Sequence, residues 1–242
     1  MSTKQILRQC SIFANEAYDD NIQSLEGSIL LENLPTDTQI HIGKQKSTIY
    51  IVGRGTANMK DALHDLKIWR RKCSFLQNTL IHTGFLQQYE AIRDNLLKEL
   101  KQLLSEDIKR IVCTGHSLGA ALMTIAALDI QLLYSDISVE SVTFASPRVG
   151  SPGFSELFNK TIKKSYRYVF HRDPVTFIPI CLRFRHVKGL IHFKKNGTTE
   201  VSEDYFFPIG CLVSQHYMEK YKCIVAKILD ENTHTLDPLF KY

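Results

Sequence analysis

Five consecutive residues, Gly115-His116-Ser117-Leu118-Gly119, set a serine between two glycines. A serine hydroxyl can attack an acyl carbonyl if a base removes its proton and a carboxylate orients that base. The apolar run Arg110-Ile111-Val112-Cys113-Thr114 precedes the five, and Ala120-Ala121-Leu122-Met123-Thr124-Ile125-Ala126-Ala127-Leu128 follows them. Strand, sharp turn with serine at its tip, then helix is the pattern of a nucleophile elbow. Its glycines stand where a Cβ would crowd neighbouring backbone. The helix N-terminus beneath the serine favours a developing negative charge. On its own the G-x-S-x-G pattern is weak: at ~7% usage per residue, chance supplies it in about one in ten chains of this length. The flanking strand and helix give it weight.

A serine of this kind is followed along the chain by the acid and then the histidine. Asp173 is the best acid, because it follows the strand 166–170 and so sits at the carboxyl edge of the sheet, where catalytic groups collect. Pro174 holds it extended. The plain alternative is a turn aspartate before proline. Asp129 and Asp136 belong to the helix after the elbow and its exit loop, which makes them poorer candidates. Of the later histidines, His186 and His192 fall in an expected strand and His234 in a polar tail. His216 stands where a loop enters a helix carrying Tyr217, Tyr221, Ile224, Val225 and Ile228, a place from which an imidazole can reach over the sheet edge. His116 reads as a packing and hydrogen-bonding residue. Oxyanion donors are expected from the N–H of Leu118 and from Thr56, in Gly53-Arg54-Gly55-Thr56 after strand 48–52. A simple glycine turn is the alternative there.

The elements that must position these groups alternate. Helices are expected at 3–18, 87–104, 120–133, near 153–163 and at 215–229. Strands are expected at 48–52, 110–114, 139–145, 166–170 and within 185–195. This order implies an α/β chain with a mainly parallel central sheet and helices on both faces. With the elbow it points to an α/β-hydrolase fold. A length of 242 residues suits a single domain over 1–242.

Composition narrows the classes. Hydrophobic residues at 44% and charged residues at 23% suit an ordinary globular core. The net charge of +5 includes short clusters at Arg70-Arg71-Lys72, Lys163-Lys164 and Lys194-Lys195. These read as solvated surface or, more sharply, as attraction to an anionic lipid surface. No long basic tract interleaved with aromatics suggests nucleic acid. No apolar run approaches the ~20 residues of a membrane span. No H-E-x-x-H or similar spacing suggests a metal, and no cofactor is expected. The six scattered cysteines and an N-terminus without an apolar signal region predict reduced thiols and a cytoplasmic location, with peripheral contact with membranes or lipid droplets.

The motifs together resemble the class 3, or fungal-type, lipases of the α/β-hydrolase superfamily. The family's F-R-G-T/S segment corresponds to Gly53-Arg54-Gly55-Thr56, and H-x-G-F to His82-Thr83-Gly84-Phe85. Its elbow corresponds to Gly115 through Ala120. Its T-F-[AG]-x-P-R-V-G block is Thr143-Phe144-Ala145-Ser146-Pro147-Arg148-Val149-Gly150. D-P-V is Asp173-Pro174-Val175, and His216 stands before the last helix. The resemblance implies Ser117, Asp173 and His216 as a triad, with Thr56 and Leu118 as the oxyanion hole. It implies a lipid ester as substrate, cleaved through an acyl-enzyme. A phospholipase or acyltransferase using the same triad is an alternative, as is a non-catalytic lipid- or partner-binding protein on the same scaffold. Two departures stand out. Gly53 replaces the family's Phe, so the loop bearing Thr56 is expected to be looser. Residues 57–68 resemble the family's lid but carry only Met59, Ala62, Leu63 and Leu66 as an apolar stripe, which predicts modest interfacial activation if they move; a fixed helix is the alternative.

Overall fold

The computed structural model describes residues 2–19, 21–56, 69–194, 198–201 and 213–230. The lid-like segment 57–68 and His234 lie outside the described residues. The strands are β1 (Ile29–Asn33), β2 (Thr38–Gln45), β3 (Thr48–Gly53), β4 (Arg70–Cys73), β5 (Thr79–His82), β6 (Arg110–His116), β7 (Ser138–Phe144), β8 (Lys164–Phe170), β9 (Leu190–Phe193) and β10 (Thr199–Val201). The helices are α1 (Thr3–Glu16), α2 (Thr83–Leu103), α3 (Leu118–Leu133), α4 (Pro152–Thr161) and α5 (Met218–Asp230).

Among the described residues, eight strands form one sheet in the order β1-β2-β3-β6-β7-β8-β9-β10. From β3 to β9 every neighbouring pair is parallel. Antiparallel pairs close both ends, at β1–β2–β3 and β9–β10. The central strands read as apolar runs because helices cover both faces; β3 is buried along its whole length. On one face, α2, α3 and α4 enclose a core containing Ile49, Ile111, Leu122, Phe154 and Phe158. On the other, α1 and α5 pack over Tyr50, Val112, Phe144 and Tyr168. α3 is apolar nearly all round and almost wholly buried, as a central helix must be.

The expected alternation holds in the centre of the sheet and is incomplete at its margins. β1, β2 and β10 lie outside the expected strands, and β4–β5 form a separate antiparallel hairpin. Arg70-Arg71-Lys72 thus lies in a strand. Gly53 is not in a loose loop: it ends β3 and is paired with Ile40 on one side and Gly115 on the other.

Candidate active site

β6 ends at His116 and α3 begins at Leu118, so Ser117 alone turns the chain. It does so at φ 56° and ψ −121°, a conformation that costs an L-residue about 1–3 kcal/mol. The surroundings hold it there. Its N–H donates to the Phe144 carbonyl at 3.0 Å, and its carbonyl accepts from Ala121 N–H at 3.2 Å. The elbow is pressed against the end of β3. A Cβ on Gly119 would lie 2.1 Å from the Gly53 carbonyl oxygen, and one on Gly115 would lie 2.7 Å from the Gly119 carbonyl carbon. Gly53 itself leaves no space, since its Cβ would meet the Gly119 oxygen at 2.8 Å. The three glycines let strand end and helix start approach backbone to backbone.

β8 delivers Asp173 just beyond its carboxyl end, fully buried. The residue caps the short helical turn Pro174–Phe177, and its Oδ1 accepts from Val175 N–H at 2.9 Å. His216 follows the turn Val213–Gln215 and precedes α5, also fully buried. Its Nδ1 lies 2.9 Å from Oδ1 and 2.8 Å from Oδ2 of Asp173. A carboxylate can only accept, so Nδ1 carries the hydrogen and Nε2 presents a lone pair. That Nε2 is buried and has no hydrogen-bond partner among the described residues. An unsatisfied buried acceptor costs about 1–3 kcal/mol, and here it is the lone pair a base needs.

The neighbour of Ser117 in the elbow, His116, packs against this pair. The ring centroids of His116 and His216 are 4.6 Å apart, and His116 Nε2 lies 2.6 Å from the His216 carbonyl oxygen. The Ser117 hydroxyl is not hydrogen-bonded to His216 Nε2 in this structure. No described residue accepts from the backbone N–H of Leu118 or of Thr56. Leu118 opens α3, so its amide is one of the unpaired donors at a helix start. Thr56 follows β3, which is laddered to β6 through Gly53 and Gly115.

The other candidates are occupied elsewhere. Asp129 accepts from Tyr89 Oη at 2.8 Å and from Arg93 Nε at 2.7 Å, tying α3 to α2. Asp136 receives the Ser135 hydroxyl on the surface. His186 and His192 bond the carbonyls of Thr176 and His171. Sequence reasoning missed Tyr221, which it read only as part of a helix stripe. The Tyr221 hydroxyl donates to Asp173 Oδ2 at 2.6 Å and accepts from Phe170 N–H at 2.9 Å. Its place one turn into the helix after His216 tells only which helix face it shares.

Burial, aided by neighbouring His216, holds the His116 imidazole well below the usual histidine range. Burial also lowers His186. The unfolded chain takes up a proton at such a histidine near pH ~6.5 while the native chain does not. Stability is therefore highest above that pH and falls below it, by at most about 1.4 kcal/mol per pH unit for His116 alone. The urea midpoint should drop between pH 7 and pH 5, less steeply in His116→Gln. A midpoint that is flat or rises on acidification would contradict the burial.

Comparison with known proteins adds the family. The model of the family "Lipase (class 3)" matches residues 50–183, more than half of the chain. The chain belongs to the class 3 lipases. A lipase of Rhizopus niveus is 31% identical over 163 residues, covering 65% of this chain and 41% of that protein. A secreted mono- and diacylglycerol lipase of Malassezia globosa is 32% identical over 155 residues, covering 59% and 50%. The chain thus spans about half or less of the length of the curated relatives it matches. The solved triacylglyceride lipase of Rhizomucor miehei superposes with a TM-score of 0.76 at 23% identity, covering 90% of this chain and 96% of that one. That likeness gives this chain the α/β-hydrolase fold.

The expected cytoplasmic location is overturned. Relatives from Malassezia globosa and Fusarium solani are named as secreted lipases, which points to the extracellular side. The expectation leaned on scattered thiols and on an N-terminus without an apolar signal region. Cys10, Cys73 and Cys113 are free and buried; their surroundings are set by core packing and carry no information about compartment. No helix among the described residues is long and apolar enough to cross a membrane.

Proposed function

We propose that this chain hydrolyses carboxylic esters of acylglycerols through an acyl-enzyme on Ser117. The observation that carries the reading is the buried Asp173–His216 pair with a bare Nε2, held against His116, the neighbour of a strained serine at the elbow tip. His216 Nε2 takes the proton of Ser117 as its oxygen attacks the ester carbonyl. Asp173 fixes the tautomer and stabilises the imidazolium. The N–H groups of Leu118 and Thr56 receive the oxyanion. His216 then protonates the leaving alcohol, and water attacks the acyl-enzyme by the same route in reverse. Relatives named as lipases and as mono- and diacylglycerol lipases support an acylglycerol as substrate. A fluorophosphonate probe should form one covalent adduct, mapped by mass spectrometry to Ser117. A folded chain that neither labels nor hydrolyses mono-, di- or triacylglycerols would overturn the reading.

Such a substrate is met at a lipid surface, and one apolar, basic region fits that contact. Arg70 Nη1 donates to the Arg183 carbonyl at 3.0 Å, which joins the segments carrying Trp69 and Leu182. Trp69 and Ile180 are each 69% exposed and Leu182 is fully exposed. Arg70 and Lys72 follow Trp69 along β4, and Arg183 follows Leu182 in the chain. Vesicles containing anionic lipid should retain the Ser117→Ala chain, and Leu182→Ser with Ile180→Ser should release it. Equal retention of both proteins would contradict this contact.

A further inference from the structure

We infer that Tyr18, at the end of α1, is a positioning residue that sets both the backbone of the base and the loop of the second oxyanion donor; this rests on the function proposed above. The His216 carbonyl oxygen can only accept, so His116 Nε2, 2.6 Å away, carries a hydrogen. A neutral imidazole has one N–H, which leaves Nδ1 of His116 as an acceptor. Tyr18 Oη lies 2.6 Å from that Nδ1 and donates to it. Burial raises the Tyr18 phenol and lowers His116, so donor and acceptor keep these roles across the working pH range. Tyr18 thereby selects the one tautomer of His116 that can hold the His216 carbonyl. With the other tautomer, a ring lone pair would face that oxygen and push His216 away from Asp173.

The same hydroxyl sits over Gly55. A Cβ there would lie 2.2 Å from Tyr18 Oη and 2.8 Å from the His116 carbonyl oxygen. The chain at residue 55 is thus seated directly against the hydroxyl, one residue before Thr56. The phenol thus meets β3's exit and the elbow directly, and reaches the loop entering α5 through His116. Tyr18 touches no reacting atom in this arrangement and acts through His116 and Gly55.

Tyr18→Phe keeps the ring that packs edge-on against His116, with centroids 5.9 Å apart, and removes only the hydroxyl. The control is Tyr50→Phe. Tyr50 donates to Gln9 Oε1 at 2.8 Å, and so also ties α1 to the sheet, but away from the site. For Tyr18→Phe we expect kcat on a soluble short-chain ester, and the rate of fluorophosphonate labelling at saturation, to fall about tenfold. KM should stay within about twofold, because a misaligned base weakens the transition state more than ground-state binding. Tyr50→Phe should lower the urea midpoint at least as much and leave kcat within about twofold. Native kcat in Tyr18→Phe, a change confined to KM, or equal kcat losses in both variants would each overturn the inference. Absence of labelling and hydrolysis in the native chain would instead refute the proposed function.

Discussion

Ser117→Ala is expected to reduce ester hydrolysis by on the order of 10⁶-fold while leaving the fold intact. Alanine differs from serine by one oxygen, and no hydrogen bond from the Ser117 hydroxyl to His216 is present to be lost. Alanine must also adopt the strained backbone at φ 56°, so the substitution leaves that strain as it is. Stability should therefore change by less than about 1 kcal/mol. The chemistry should change completely, because Asp173 and His216 would then hold a tautomer that has no nucleophile to activate. The activity that survives would come from the proposed oxyanion donors, the Leu118 and Thr56 N–H groups, acting on water attack. Both numbers can be read from one preparation, the urea midpoint for the fold and turnover of a soluble ester for the chemistry. A variant retaining more than about a hundredth of native turnover would assign the nucleophile elsewhere. Asp173→Asn supplies an independent measure. An amide can donate towards Nδ1 and so favour the wrong tautomer, with an expected loss of about 10⁴-fold.

The elbow and the partners Asp173 and His216 were legible in sequence because their constraints are local. A serine that must turn the chain in one residue needs glycines beside it, an apolar strand before it and a helix after it. All three are visible between Arg110 and Leu128. Asp173 and His216 were found from element boundaries: one follows β8, and the other enters α5. The central strands were legible for the same reason that they are central, since burial on both faces makes them continuous apolar runs. The margins followed different rules. In β2 Ile40 and Ile42 alternate with Gln39 and His41, β1 is a short apolar run followed by Glu32 and Asn33, and Arg70-Arg71-Lys72 becomes a strand only because β5 lies opposite. Pairing decides there, and pairing is not written in either segment alone. Tyr18 and Tyr221 were out of reach for a related reason. A tyrosine's spacing tells which helix face it shares, whereas its value here lies in what its hydroxyl meets, and that is set by elements 98 and 48 residues away.

Gly119→Ala tests the backbone contact on which the whole site rests. The added Cβ would lie 2.1 Å from the Gly53 carbonyl oxygen, 2.6 Å from the Gly53 carbonyl carbon and 2.8 Å from that of Arg54. These are backbone atoms of a strand laddered on both sides, so no flexible side chain can yield. The end of β3 and the start of α3 must instead move apart. Overpacking of this kind costs about 1–3 kcal/mol, and more where neighbours are rigid. The displaced groups are the two expected oxyanion donors, because Thr56 hangs from β3 and Leu118 opens α3. A shift of about 1 Å between them can cost 10²-fold in rate. Gly119→Ala should therefore lose stability and at least a hundredfold in kcat together. Gly153→Ala is the matched control. A Cβ there meets nothing nearer than Ser151 Oγ at 3.8 Å, and the residue lies in α4, where alanine is favoured over glycine by about 0.5–1 kcal/mol. It should leave kcat unchanged and raise the urea midpoint slightly. Native stability and turnover in Gly119→Ala would mean that β3 and the elbow stand further apart than their glycines imply, and Thr56 would then be too distant to share an oxyanion with Leu118.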